Sequence, residues 1–287
     1  MKHLEFYNLK EHPFSNSVDI KFFFENDQHS QALIRLKYAV DSSKGLAVVV
    51  GEVGTGKTTL ARRMLNELDE EKYEAALLVV IHTSVTTDWL MRKIAMQIGI
   101  ENPADSKLEI LSQLYNRLME IYESGMKAVV LMDEVQMLQS REIMEEFRGI
   151  LNMEGPDGKL ITFIMFGLPE LETLLALDEP LKQRIAVKYK LIGLNENVTS
   201  DYIKYRLKVA GTEEEVFSPE AITAVHHYSK GVPRLINTVC DNAIFEGFLI
   251  HQKPVNKDTI DQVAYSLDLK YEEEKSATTV KNRQSDY

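Results

Sequence analysis

Gly51-Glu52-Val53-Gly54-Thr55-Gly56-Lys57-Thr58 sets three glycines ahead of a lysine and a hydroxyl. Glycines so placed let backbone N–H groups turn inward on one anion, and a helix starting there adds its positive end. The spacing G-x-x-x-x-G-K-T is that of a phosphate-binding loop. Lys57 is set to reach β- and γ-phosphate oxygens, and the Thr58 hydroxyl to hold Mg²⁺. The candidate nucleotide-binding residues are Gly51, Glu52, Val53, Gly54, Thr55, Gly56, Lys57, Thr58 and Thr59, with ATP and Mg²⁺ as ligands. A pair of acids, Asp133 and Glu134, closes the apolar run 128–132. Asp133 is placed to join Thr58 at the metal, and Glu134 to polarise an attacking water. A kinase or a GTPase does not need this adjacent pair, so the two acids point to hydrolysis of ATP.

These side chains work together only if strands and helices bring them to one sheet edge. Five short apolar runs, 46–50, 76–82, 128–132, 160–166 and 186–192, show little alternation. Such runs suit strands buried on both faces of a parallel sheet. Helical periodicity separates them, as at 89–98 and 108–123. Strand and helix in turn predict an α/β domain with helices on both faces. The phosphate loop then lies between the strand at 46–50 and a helix at 59–68. Past residue 194 the pattern is wholly helical, at 198–210, 219–229, 233–250 and 256–267, with Ser218 before Pro219 reading as an N-cap. The chain is expected to divide into an α/β domain over 1–194, a small helical lid over 195–269 and a disordered polar tail over 270–287.

Composition narrows the field further. A formal net charge of -11 argues against a protein whose whole surface grips nucleic acid or anionic membrane. Hydrophobic residues make up 44%, enough to bury a core and exclude general disorder. The single cysteine, Cys240, excludes an internal disulfide and reads as a buried structural thiol. No apolar run approaches the ~20 residues of a transmembrane helix, and no signal peptide opens the chain. A cytoplasmic location is expected.

Beyond the phosphate loop, ordered blocks along the chain resemble the ExeA (general secretion pathway A) branch of the AAA+ ATPases. Phe6-Tyr7-Asn8-Leu9 with Pro13-Phe14 is similar to the family's Y-G-L-x-x-x-P-F opening. Gly51 to Leu60 agrees with G-E-V-G-T-G-K-T-T-L, and Asp133-Glu134-Val135-Gln136 with D-E-A-Q. Glu145-Glu146-Phe147-Arg148 follows E-x-L-R, and Gly167-Leu168-Pro169-Glu170-Leu171 parallels G-Q-P-E-L. Leu181-Lys182-Gln183-Arg184-Ile185 corresponds to L-x-Q-R-I, and Gly231-Val232-Pro233-Arg234-Leu235-Ile236-Asn237 to G-x-P-R-x-I-N.

The resemblance implies a five-stranded P-loop NTPase sheet with a helical lid. It puts Arg184 in the arginine-finger region that acts on a neighbouring subunit's ATP, and Arg234 at the sensor-2 position of the lid. It sets Phe14 and Phe22, Phe23 and Phe24 where relatives pack the chain's start near the adenine; core packing accounts for these side chains equally well, so they carry no ligand role. One departure is Leu168, where the family has Gln. Neither Gly167 nor Leu168 carries the polar group expected at that strand end, which predicts slow hydrolysis unless another polar side chain substitutes. The partners implied are further copies of the chain, in an ATP-dependent ring or filament. Beyond these, the resemblance implies secretion or envelope machinery, with the chain as assembly motor or regulator. One alternative comes from the TnsC and TniB transposition regulators, an ATP-loaded platform for DNA and a transposase; another is a slow nucleotide-gated switch. Residues 196–268 hold 7 Lys and Arg against 11 Asp and Glu, a balance that speaks against duplex binding by the lid's outer face.

Overall fold

The computed structural model describes residues 2–269, so the expected tail lies outside the described residues. The strands are β1 (Leu46–Gly51), β2 (Tyr73–Val79), β3 (Lys127–Asp133), β4 (Glu154–Gly155), β5 (Gly158–Lys159), β6 (Ile161–Gly167) and β7 (Ile185–Leu191). Five of them form one sheet in the order β2-β3-β6-β1-β7, and β4 with β5 makes a small hairpin that no apolar run foretells. Every pairing in the large sheet is parallel. Because β6 lies between β1 and β3, the loop after β1 and the acids after β3 flank one strand end.

Residues 46–50 alternate between two cores. Leu46, Val48 and Val50 face a cluster with α4 (Thr87–Gln97), α5 (Lys107–Glu123) and α6 (Arg141–Ile150). Ala47 and Val49 face α2 (Asp27–Asp41) and α3 (Lys57–Glu67) on the other side. Burial on both faces holds for β1 and β6 throughout and for β3 beyond its first residue. It fails for the edge strands: β7 alternates, and β2 is mostly half-buried. β2 also starts three residues before the expected 76–82. Its register against β3 runs from Tyr73↔Lys127 to Val79↔Asp133, where β3 ends. The apolar stretch continues past its partner, leaving Ile81 75% exposed.

The remaining helices are α1 (Lys2–Phe6), α7 (Glu170–Leu175), α8 (Glu179–Lys182), α9 (Glu196–Val209), α10 (Pro219–Ser229), α11 (Pro233–Leu249) and α12 (Lys257–Ser266). Helices α9 to α12 share one apolar core. The chain's start joins that core rather than the sheet, through Leu4, Tyr7, Leu9 and Phe14. Cys240 is fully buried there, and burial pushes its thiol well up, as a structural role requires. No described helix is long and apolar enough to cross a membrane.

Side-chain capping sets the site apart. Asn26, Thr86, Ser106, Ser140, Asn195, Ser218 and Asn256 each accept a backbone N–H at the start of α2, α4, α5, α6, α9, α10 and α12. Among the described helices of ten residues or more, only α3 and α11 have no such cap. Both start at the same cavity. The uncapped first turn of α3 leaves N–H groups for a ligand, whereas α11 opens with Pro233, which has no N–H to cap.

Candidate nucleotide-binding and catalytic site

The loop after β1 folds as its glycines require. Gly54 and Gly56 have φ of +81° and +97°, in the left-handed region that a side chain disfavours. The Thr55 hydroxyl donates to Glu52 O at 2.8 Å and holds the turn, while Val53 stands exposed at its apex. Gly56 ends the loop and α3 begins at Lys57, two residues before the expected helix. The Lys57 Nζ donates to Gly51 O at 2.8 Å and Glu52 O at 2.9 Å. Burial pulls its ammonium below the ordinary lysine value, against the opposing carboxylates of Glu134, Asp133 and Glu52. A buried ammonium held only by carbonyls lacks a full counter-charge, which a phosphate group would supply.

The acids sit opposite. Asp133 is 1% exposed and accepts the Thr58 hydroxyl on Oδ2 at 2.6 Å and the Glu134 N–H on Oδ1 at 3.0 Å. Burial pushes its carboxyl up, and these two donors oppose the shift. Thr58 and Asp133 thus present hard oxygen donors side by side, and that donor set fits Mg²⁺, which takes one or two protein oxygens and keeps its waters. Glu134 has φ 60° and begins a 3-10 turn, Val135–Met137. That turn swings Gln136 back: its Nε2 donates to Glu134 Oε2 at 2.5 Å and its Oε1 accepts the Leu168 N–H at 3.1 Å.

A cavity of about 310 Å³ opens over the loop and is lined by residues 53–59, Glu134, Leu168 and Arg234. Arg234 enters on the first turn of α11, its N–H donating to Gly54 O at 3.3 Å. A methyl group at position 54 would lie 2.7 Å from Arg234 Cβ, so the loop and α11 meet closely there. Arg184 does not line this cavity. Its guanidinium donates to Asn152 Oδ1 at 2.7 Å and Pro180 O at 3.3 Å. The structure therefore brings Lys57, Thr58, Asp133, Glu134 and Arg234 together and leaves Arg184 apart.

Phe22, Phe23 and Phe24 line the cavity, whereas Phe14 is buried in the helical core. Sequence reasoning missed several wall residues. Asn237 accepts from the Tyr202 hydroxyl at 2.8 Å and donates to Asn16 Oδ1 at 3.2 Å, tying the chain's start to α9 and α11. Arg206 donates to Pro13 O, to Ser15 O at 3.1 Å and to the Tyr202 hydroxyl at 2.9 Å. Asn237 lies in the stretch from Gly231 to Asn237, where nothing in the spacing marks it as a wall residue. Arg206 carried no local signal, since one Arg in a helix usually faces water.

Residues 40–175 match the family described as "AAA domain". General secretion pathway protein A of Aeromonas hydrophila is 33% identical over 266 residues, which are 92% of this chain and 48% of that protein. The chain thus spans about half the length of that relative. Among solved structures, the Aeropyrum pernix ORC2 protein in ADPNP-ADP complexes has a TM-score of 0.66 at 16% identity, covering 89% of this chain and 71% of its own. Drosophila ORC bound to DNA has a TM-score of 0.64 at 17% identity, covering 92% and 66%. The Thermotoga maritima RuvB Holliday junction branch migration motor has a TM-score of 0.58 at 16% identity, covering 91% and 74%. At these identities the three structures speak for the fold alone. A phosphate loop between β1 and α3, acids at the end of β3, a β2-β3-β6-β1-β7 sheet with helices following it, and these likenesses agree: the chain has the P-loop fold of the AAA+ type and is similar to General secretion pathway protein A over 92% of its own length.

Proposed function

We propose that the chain binds ATP with Mg²⁺, hydrolyses it, and uses the nucleotide to control its own assembly. The observation that carries this reading is Lys57, Thr58, Asp133 and Glu134 at one sheet edge, with Arg234 closing the cavity from the helical side. The loop N–H groups and the first turn of α3 bind the phosphates. Lys57 leaves its carbonyl partners for the β- and γ-phosphate oxygens. Thr58 and Asp133 would hold Mg²⁺, which would draw charge from the phosphate oxygens. Glu134 accepts the proton of a water whose oxygen bonds to the γ-phosphorus. The bond to the β–γ bridging oxygen breaks, and ADP leaves with that electron pair.

Arg184 acts across a subunit boundary in this reading. Its place outside its own cavity supports that role, because a neighbour's γ-phosphate would draw it from Asn152 and Pro180. The helical region from residue 195 is the lid. Resemblance to General secretion pathway protein A favours an assembly motor or regulator of a secretion or envelope system. The alternative, a DNA-targeting ATPase, draws on the fold shared with ORC bound to DNA; the acid excess over 196–268 weighs against it. ATP turnover and particle mass, each measured with ATP, with ADP and without nucleotide, and with and without duplex DNA, test the reading. Absence of ATP binding and turnover sinks it. DNA-stimulated turnover moves the assignment to the alternative.

A further inference from the structure

The end of β6 lies between the phosphate loop and the acids, yet Gly167 and Leu168 offer no polar side chain there. Gln136 fills the gap from another element. Its amide spans two fixed partners, the Glu134 carboxylate and the Leu168 N–H. Only one orientation of that amide satisfies both, because the reverse would set oxygen against carboxylate and N–H against N–H. The strand end leaves room for it: a methyl group at position 167 would lie 2.9 Å from Gln136 Oε1. The left-handed backbone at Glu134 and the short turn after it deliver the side chain, and strain of this kind persists where the surroundings over-determine it.

We propose that Gln136 is the positioning residue of this site. It holds Glu134 Oε2 and so turns the free Oε1 toward the attacking water. By anchoring on Leu168 N–H, it makes the β6 end part of the same device, in place of the polar side chain that residues 167 and 168 lack. The inference rests on Glu134 being the base and adds how that base is aimed. A base displaced by a fraction of an ångström loses rate and leaves substrate binding untouched, which separates this role from a structural one.

Gln136→Met keeps the length and removes both hydrogen bonds. We expect its kcat to fall by about tenfold or more, while KM and directly measured ATP affinity stay within about twofold. In a Glu134→Gln background the same change should have no further effect on kcat, since there is no base left to aim. A second readout needs no turnover. In nucleotide-free protein the side-chain amide resonances of Gln136, identified by their loss in Gln136→Met, should shift and exchange faster with solvent in Glu134→Ala. Parental kcat in Gln136→Met beside an inactive Glu134→Gln overturns the role of Gln136 and leaves Glu134 standing. Parental turnover in Glu134→Gln overturns the base itself. Amide resonances that ignore Glu134→Ala overturn the contact.

Discussion

Thr58 and Asp133 stand 75 residues apart in the chain, and the Thr58 hydroxyl donates to Asp133 Oδ2 at 2.6 Å. One belongs to the first turn of α3 and the other ends β3, so the bond joins two elements that meet at the carboxyl ends of the strands. Asp133 is buried with its carboxyl pushed up, an arrangement that gains when a cation arrives.

That burial predicts a trade between stability and function at Asp133. Between the ordinary carboxylate range and the raised value in the fold, the unfolded chain has lost its proton and the folded one has kept it. Stability therefore falls as pH rises through that window, and the penalty is complete above it. Asp133→Asn should match the parent in acid and exceed it in stability at neutral pH. Saturating Mg-ATP should reverse the order. Melting curves from pH 3 to 8, with and without Mg-ATP, check this, and a variant less stable than the parent at neutral pH without ligand counts against it.

Lys57→Ala should bind ATP about 10²-fold more weakly, since a hydrogen bond to a charged group is worth up to ~3 kcal/mol. The fold should survive, because Nζ binds only two loop carbonyls. Calorimetric titration with ATP decides, and unchanged affinity with unchanged turnover removes the phosphate-binding role.

Glu134→Gln should keep ATP affinity and lose about 10²- to 10⁴-fold in turnover, the usual span for a general base. The amide retains shape but takes no proton. Single-turnover rates at saturating ATP measure this directly. A parental rate would assign water activation to another residue.

Arg184→Ala should leave ATP affinity nearly intact, slow turnover by about 10³-fold and weaken ATP-driven assembly. Its guanidinium rests on Asn152 and Pro180, so removal disturbs no buried group of its own subunit. Mixed with Lys57→Ala it should recover part of the activity, because Lys57→Ala subunits still offer Arg184 to an intact neighbouring loop. Light scattering and turnover of the mixture are the measurements. A monomer in ATP that hydrolyses at the parental rate, or failure to complement, refutes action across subunits.

The nucleotide-binding loop was legible without coordinates because its chemistry belongs to contiguous backbone. Gly54 and Gly56 are needed wherever that turn forms, and Lys57 and Thr58 follow within the same helical turn. The five strands of the large sheet were legible from apolar runs and the helices past residue 194 from their periodicity, both properties of neighbouring residues. What local spacing does not encode is which distant segments meet. Strand order differs from chain order, and that alone sets the end of β6 between Gly51 and Asp133. From there follow the two bonds of Gln136, whose partners lie on different elements and whose fit depends on the missing side chain of Gly167. The same holds for Arg234 against Gly54, for Arg206 and Asn237 clasping the chain's start, and for the tether of Arg184. Edge and centre of the sheet were also decided in three dimensions, since strand order alone leaves β2 and β7 with no strand beyond them.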